Sequence, residues 1–359
     1  MGSLNEQDLG PPLNQPVADE EELMANRAVL YPLILGFESS FVLRTAVLLE
    51  LPDIIARAGP DETLTVKQIA AQLKSDSVNE FRLQRVLTAL VNWKLFRCTK
   101  PDLMSEMQYG LTPISKLLVT ENNPYNQAPA VLFHTDPAIL APWQQLHRYV
   151  LYGENAVQST YGKDIWQCLN DNPELSKCFN AAMASATPID LTVVRKYEGF
   201  KDIKTLVDVG GGIGKALETI ISSYPHIHGI NYDLPHVIAD APTMPGIEHV
   251  GGSMFESVPS GDAILIRRVM HDWNDENCIK ILNNCQKALL EKGKVLICEL
   301  VLQPSGGLPQ LMDMVMMVLT DGGMERTEEQ WRKLLTTAGF STINFIELLQ
   351  QVWLIEAVK

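Results

Sequence analysis

The chain has 359 residues, 46% of them apolar and 20% charged, enough for two domains and a large core. Its formal net charge of −14 matches a phosphate backbone poorly, because affinity for nucleic acid rests on Lys and Arg, and no apolar run reaches membrane-spanning length. Six scattered cysteines without a C-x-x-C pair argue against a zinc site or a disulfide framework and for a reducing compartment. Residues 1–20 are acidic and Pro-containing, and they lack the basic and apolar regions of a signal peptide. They read as a disordered lead-in to a cytoplasmic protein.

From Glu21 to Leu51 runs one long helical pattern, interrupted at Pro32. It is apolar over more of its circumference than one buried face requires. Burial against a second chain and burial in its own core both account for this. A short capped helix follows at Leu64–Leu73, then a second at Phe81–Trp93, then two short strands at Leu95–Cys98 and Gln108–Thr112. Helix, turn, helix and β-wing is the outline of a winged helix. Its second helix carries Arg82 and Arg85 but is mostly neutral, so a structural or dimerising use is favoured over DNA. Residues 21–125 are therefore expected to form a helical dimerisation domain, and 126–359 a second domain. Residues 117–161 mix helix and loop, and 165–195 suggest two further helices. Phe179 and Met183 stand one turn apart there, as core packing or as a polarizable wall for a flat substrate.

The informative stretch is Leu206–Pro235. An apolar run, interrupted by Asp208, breaks into Gly210, Gly211, Gly212 and Gly214, resumes as a helix, and ends in a second strand at Asp233. Strand, glycine turn, helix, strand and acid make a nucleotide-binding βαβ unit. Lys215 stands where dinucleotide sites place a third glycine, which argues for an adenosine ligand without a pyrophosphate. Further strands are expected at Ile247–Val250, Ala263–Val269 and Lys294–Leu300, with helices between them. Two closing strands, Ile343–Leu348 and Val352–Val358, have no helix between them and predict an antiparallel hairpin at the edge of a parallel sheet. Ligands in such sheets lie outside the carboxyl ends of the strands, which brings forward Gly210, Asp233, Ser253, His271 and Glu299. His271 is the candidate general base, with Glu299 or Glu325 fixing its tautomer. The plainer reading of His271–Asp272 is a cap at the start of the next helix.

The segments Leu206–Gly214, Asn231–Ile238, Ile247–Phe255, Arg267–Leu282 and Gly322–Trp331 resemble the plant S-adenosylmethionine-dependent O-methyltransferases of the caffeic acid and flavonoid type. The resemblance runs from about residue 20 to the end of the chain. It implies a Rossmann-like α/β fold with a seven-stranded methyltransferase sheet and a homodimer whose N-terminal helices close part of the partner's pocket. It implies that Gly210, Asp233, Ser253, Met254 and Arg267 hold the methyl donor, with Asp233 on its ribose hydroxyls. It makes His271 the base that deprotonates a substrate hydroxyl, with Glu299 and Glu325 orienting it. Phe179, Met183, Asp272 and Met316 would line the substrate. No metal is implied.

Three positions depart from the family pattern. Ser253 stands where the family has Asp, and Arg267 where it has Lys. Ala186 stands where some lignin-pathway members carry His, which counts against caffeate-like specificity. Phenol has a pKa of about 10 and imidazole about 6.5, so an ordinary His271 cannot remove the proton fully in advance of transfer. Methylation of an aromatic amine and a non-catalytic winged-helix binder with a vestigial donor site are the rival readings. The net charge and an intact His271 weigh against the binder, and a base that a neutral amine would not require favours oxygen.

Overall fold

The computed structural model describes residues 19–75, 77–102, 104–194, 197–349 and 352–359; most of the expected lead-in, up to residue 18, lies outside them. The long N-terminal pattern is not one helix but two, Glu20–Ile34 and Phe37–Leu48, and a third, Leu51–Arg57, begins where it ends. Pro32 lies inside the first rather than at its end. The break comes at Leu35–Gly36, where the chain bends by 44°. The first helix buries no residue in its own chain, and Leu23, Val29, Leu30, Leu33, Ile34, Phe37 and Phe41 are all exposed. No single helix among the described residues is long and apolar enough to cross a membrane; the bent pair reaches that length only jointly.

The rest of the N-terminal region has its own core, with Leu51, Ile54, Ile55, Ile69, Leu83, Leu87, Leu90, Phe96 and Tyr109 at its centre. Strand β1 (Leu64–Thr65) starts what the sequence suggested was all helix, and the helix proper is Val66–Ala70. Thr65 caps it reciprocally with Gln68. The second helix, Glu80–Asn92, packs on β2 (Phe96–Thr99), which with β3 (Gln108–Leu111) and β1 forms a three-stranded antiparallel sheet in the order β1-β3-β2.

The second sheet is built from β4 (Thr205–Val209), β5 (His228–Asp233), β6 (Ile247–Gly251), β7 (Gly261–Arg267), β8 (Leu289–Leu302), a short β9 (Arg326–Thr327), β10 (Thr342–Leu349) and β11 (Val352–Val358). Its order is β10-β11-β8-β7-β4-β5-β6, seven strands, with β9 paired to β8 as an eighth. Strands β4 to β8 run parallel and the β10–β11 hairpin closes the edge antiparallel, as the sequence predicts. Alternation sorts the side chains of each strand onto two helical layers. Val207, Val209, Ile264 and Ile266 meet the helices Asp275–Ala288 and Glu328–Thr337. Leu206, Ala263 and Leu265 meet Leu217, Ile220 and Ile221 of the helix Lys215–Ser223. Asp208 and, in register with it on β5, Asn231 are buried polar residues on that second face.

Candidate active site

The chain leaves β4 through a turn in which Gly210, Gly212 and Gly214 all have positive φ, 71°, 58° and 87°. A Cβ on Gly210 would stand 2.6 Å from Val269 Cγ2, whereas one on Gly212 would meet nothing within 4 Å. The first glycine therefore permits close packing and the second leaves open space for a ligand. Asp233, at the end of β5, reaches across: its Oδ2 accepts from Gly212 N–H at 2.8 Å and its Oδ1 from Leu234 N–H at 2.7 Å. Each carboxylate oxygen keeps a further lone pair, so two vicinal hydroxyls can still donate to it. Burial raises the Asp233 pKa, while the two backbone N–H bonds oppose the rise. An open glycine cradle beside a fixed carboxylate fits the ribose end of an adenosine-bearing ligand.

His271 lies in the tight turn Met270–Asp272, beyond the end of β7. The adjoining helix is capped by Asn274, whose side chain accepts from Asn277 N–H, so the helix start does not need the His271–Asp272 pair. Three elements fasten the turn. From β8, Glu299 Oε1 accepts from the N–H groups of Val269 and Met270, both at 3.0 Å. From β9, Arg326 donates to the carbonyls of Met270 at 3.1 Å and Trp273 at 2.8 Å, and it is paired with Asp275. The carbonyl of His271 accepts from Met324 N–H at 2.8 Å. Gly323 is needed for this contact, since a Cβ there would lie 2.5 Å from the His271 carbonyl oxygen.

The imidazole is buried among three carboxylates. Nδ1 is 2.8 Å from Glu325 Oε1 and 3.5 Å from Glu299 Oε2, and Nε2 is 3.7 Å from Asp272 Oδ1. Burial lowers the pKa of His271, but Glu299, Glu325 and Asp272 outweigh it and raise it to about 10. The ordinary imidazole expected from sequence is thus replaced by a much stronger base, because carboxylates from three separate elements converge on one ring. Burial pushes Asp272 up to about 7 against the pull of His271, with Glu299 and Glu325 adding to the rise. Glu299 is raised by burial, again against His271. The ligand atoms of His271, Glu299 and Glu325 lie within 4.8 Å of one another, the spacing of a cation site, but Nδ1 is already engaged by Glu325 and one oxygen of Glu299 by backbone N–H groups.

The proposed wall residues divide. Phe179 and Met183, on the helix Pro173–Val194, pack into one cluster with Phe133, Trp143, Trp166, Val315, Val318 and Leu319. Met316 is buried on the helix Leu308–Leu319. Aromatic contacts run from Phe133 to Phe179 (5.4 Å between centroids), on to Trp166 (6.0 Å), Trp273 (6.2 Å) and Phe255 (4.8 Å). They join the expected wall to the His271 turn and to the Ser253–Phe255 segment. Ser253 Oγ accepts from Phe255 N–H at 3.3 Å, and the Met254 carbonyl accepts from Asn284 at 2.9 Å. Arg267 donates to Thr187 Oγ1 at 2.8 Å. Arg326, Asn231 and Trp166 escaped the sequence reading. Only the neighbourhood of Arg326 and Glu325 hinted at a role, since its acceptors are largely backbone carbonyls.

Sheet order, glycine turn and an imidazole buried among carboxylates give the outline of a nucleoside-binding α/β protein. Comparison with known proteins makes this specific. Residues 143–341 match the O-methyltransferase domain model and residues 31–121 the O-methyltransferase dimerisation domain model. The chain is 40% identical over 331 residues to O-methyltransferase 11 of Lophophora williamsii, covering 89% of this chain and 86% of that protein. It is 37% identical over 365 residues to esculetin O-methyltransferase of Kitagawia praeruptora, covering 98% and 99%. Human N-acetylserotonin methyltransferase, solved in complex with SAM, shares the fold at a TM-score of 0.82 and 24% identity, over 96% of this chain and 99% of that one. The chain belongs to the O-methyltransferase family.

Proposed function

We propose that this enzyme transfers a methyl group from S-adenosylmethionine to a phenolic hydroxyl of a small aromatic metabolite, with His271 as the base. The donor supplies, when bound, a sulfonium-activated methyl group that needs no metal. Gly210 and Asp233 would hold its ribose end, Ser253, Met254 and Arg267 the rest of it, and Phe179, Met183 and Met316 the acceptor ring. The observation that carries the reading is the commitment of Nδ1 to Glu325, which leaves Nε2 as the atom that takes the substrate proton. The surrounding carboxylates raise His271 toward the range of a phenol, which narrows the gap an ordinary imidazole would have to bridge once the ring has lost its own proton. At neutral pH the ligand-free cluster holds a proton, shared among ring and carboxylates. It must shed that proton before accepting another, and any cation brought beside it favours the loss.

The matched dimerisation model and the exposed apolar helix pair support a homodimer in which Glu20–Ile34 and Phe37–Leu48 are covered by the second copy. A boundary near residue 125 fits the two family matches on either side of it. Replacing His271 with Ala tests the base. Methyl transfer to a phenol falls by about 10²–10⁴, while calorimetric binding of S-adenosylhomocysteine persists; an unchanged rate removes His271 from the chemistry.

A further inference from the structure

Asp208, Asn231 and His249 stand side by side on β4, β5 and β6, Asp208 in register with Asn231 and Asn231 with His249. His249 Nε2 lies 3.0 Å from the Pro242 carbonyl, which can only accept, so Nε2 carries the hydrogen. Asn231 Nδ2 lies 2.8 Å from the Gly212 carbonyl and 3.1 Å from His249 Nδ1. Turning the amide over would set Oδ1 against the Gly212 carbonyl, acceptor on acceptor. Both amide hydrogens are therefore in use, one on Gly212 and one on His249. Asn231 Oδ1 remains, buried and without a partner among the described residues, and so does Asp208 Oδ2. The two oxygens converge beneath Gly211: a Cβ there would stand 2.2 Å from Asn231 Oδ1 and 2.8 Å from Asp208 Oδ2. Two buried acceptors close to the same point can be satisfied by one hydrogen between them.

We infer that Asp208 is kept as a neutral carboxylic acid whose Oδ2–H donates to Asn231 Oδ1, and that this proton holds the glycine turn in its donor-binding shape. The inference rests on the reading of that turn as the donor site. The Gly212 peptide is the link, since its carbonyl is held by Asn231 and its N–H donates to Asp233. An ionised Asp208 would oppose Oδ1, swing the amide away, release Gly212 and misplace Asp233. Among the described residues, the charged and titratable neighbours are Asp233 on β5, His249 on β6 beyond Asn231, and Arg267 on β7. Burial pushes the Asp208 carboxyl up to about 7, with Arg267 pulling it down and Asp233 adding to the rise. Asp208 acts through Asn231 and is a positioning residue.

The test is the pH dependence of S-adenosylhomocysteine binding, measured by calorimetry for the wild type and for Asp208→Asn, whose amide donates as the neutral acid does. Wild-type affinity falls by up to about tenfold per pH unit above neutrality. Asp208→Asn matches the wild type at mildly acidic pH and holds its affinity across the alkaline range. Parallel profiles, as an ionised Asp208 bridged to Asn231 by a water would give, overturn the inference and leave the donor site standing. Loss of binding by a folded Asp208→Asn at every pH does the same. No heat from folded wild type at any pH overturns the donor-site reading and this inference with it. Should Asp208→Asn not fold, carbon-13 NMR of carboxyl-labelled aspartate in an Asp272→Asn background reads the group directly. A buried aspartate that titrates near neutrality carries the inference, and its absence overturns it.

Discussion

Glu325→Gln keeps the shape of the side chain and its Oε1 acceptor but removes a charge lying 2.8 Å from His271 Nδ1, with both groups buried. An opposite charge at this range raises the pH at which an imidazole loses its proton by about one to three units, and each unit corresponds to about 1.4 kcal/mol. Folded His271 gives up its proton at about 10, and unfolded histidine at about 6.5. Its contribution to stability is therefore complete below about pH 6.5 and is lost as the pH rises through the folded value. The variant is expected to be about 1.4–4 kcal/mol less stable than the wild type near pH 6. The gap narrows toward pH 10, where relief of the repulsion on Glu299 and Asp272 offsets what remains. Denaturant unfolding at several pH values, at fixed protomer concentration because a dimer's stability depends on it, measures the difference. A gap that stays constant with pH refutes the electrostatic account of the cluster. Transfer to a phenol should fall by about ten- to a hundredfold, a weakened base keeping part of the benefit of general-base catalysis.

The two turn glycines should respond differently to alanine. Gly210→Ala meets Val269 at 2.6 Å and costs about 1–3 kcal/mol in thermal unfolding, whereas Gly212→Ala costs less stability but weakens S-adenosylhomocysteine binding; equal effects on both measurements would contradict the cradle. Leu30→Asp, at an exposed position of the first helix, should halve the mass seen by light scattering, and a retained dimer mass removes that helix from the interface. Activity should survive exhaustive treatment with a chelator; loss that added divalent ion restores would make His271, Glu299 and Glu325 a metal site.

The parallel strands were legible because strands buried on both faces are largely apolar runs, as Leu206–Val209, broken only by Asp208, and Ala263–Ile266 are. The N-terminal breaks were less so, since Leu35–Gly36 interrupts a pattern that stays apolar on both sides. His271, Glu299 and Glu325 could be placed near one another from topology, which sets strand ends together. The strength of the base could not, because it depends on distances among three carboxylates that no spacing encodes. Arg326 and the row formed by Asp208, Asn231 and His249 were hidden for a related reason: their meaning lies in backbone carbonyls and in lateral register between strands.

The fastening of the His271 turn by Glu299, Met324 and Arg326 divides the labour of the chain. On the proposed reading, the pieces that would grip the donor's ribose come from residues 210–233, whereas those that would take a proton from the acceptor are completed only by the stretch around 325. On that reading, the hydroxyl attacked could be retuned by changing the later stretch and the facing helices, while the earlier stretch kept its hold on the same donor.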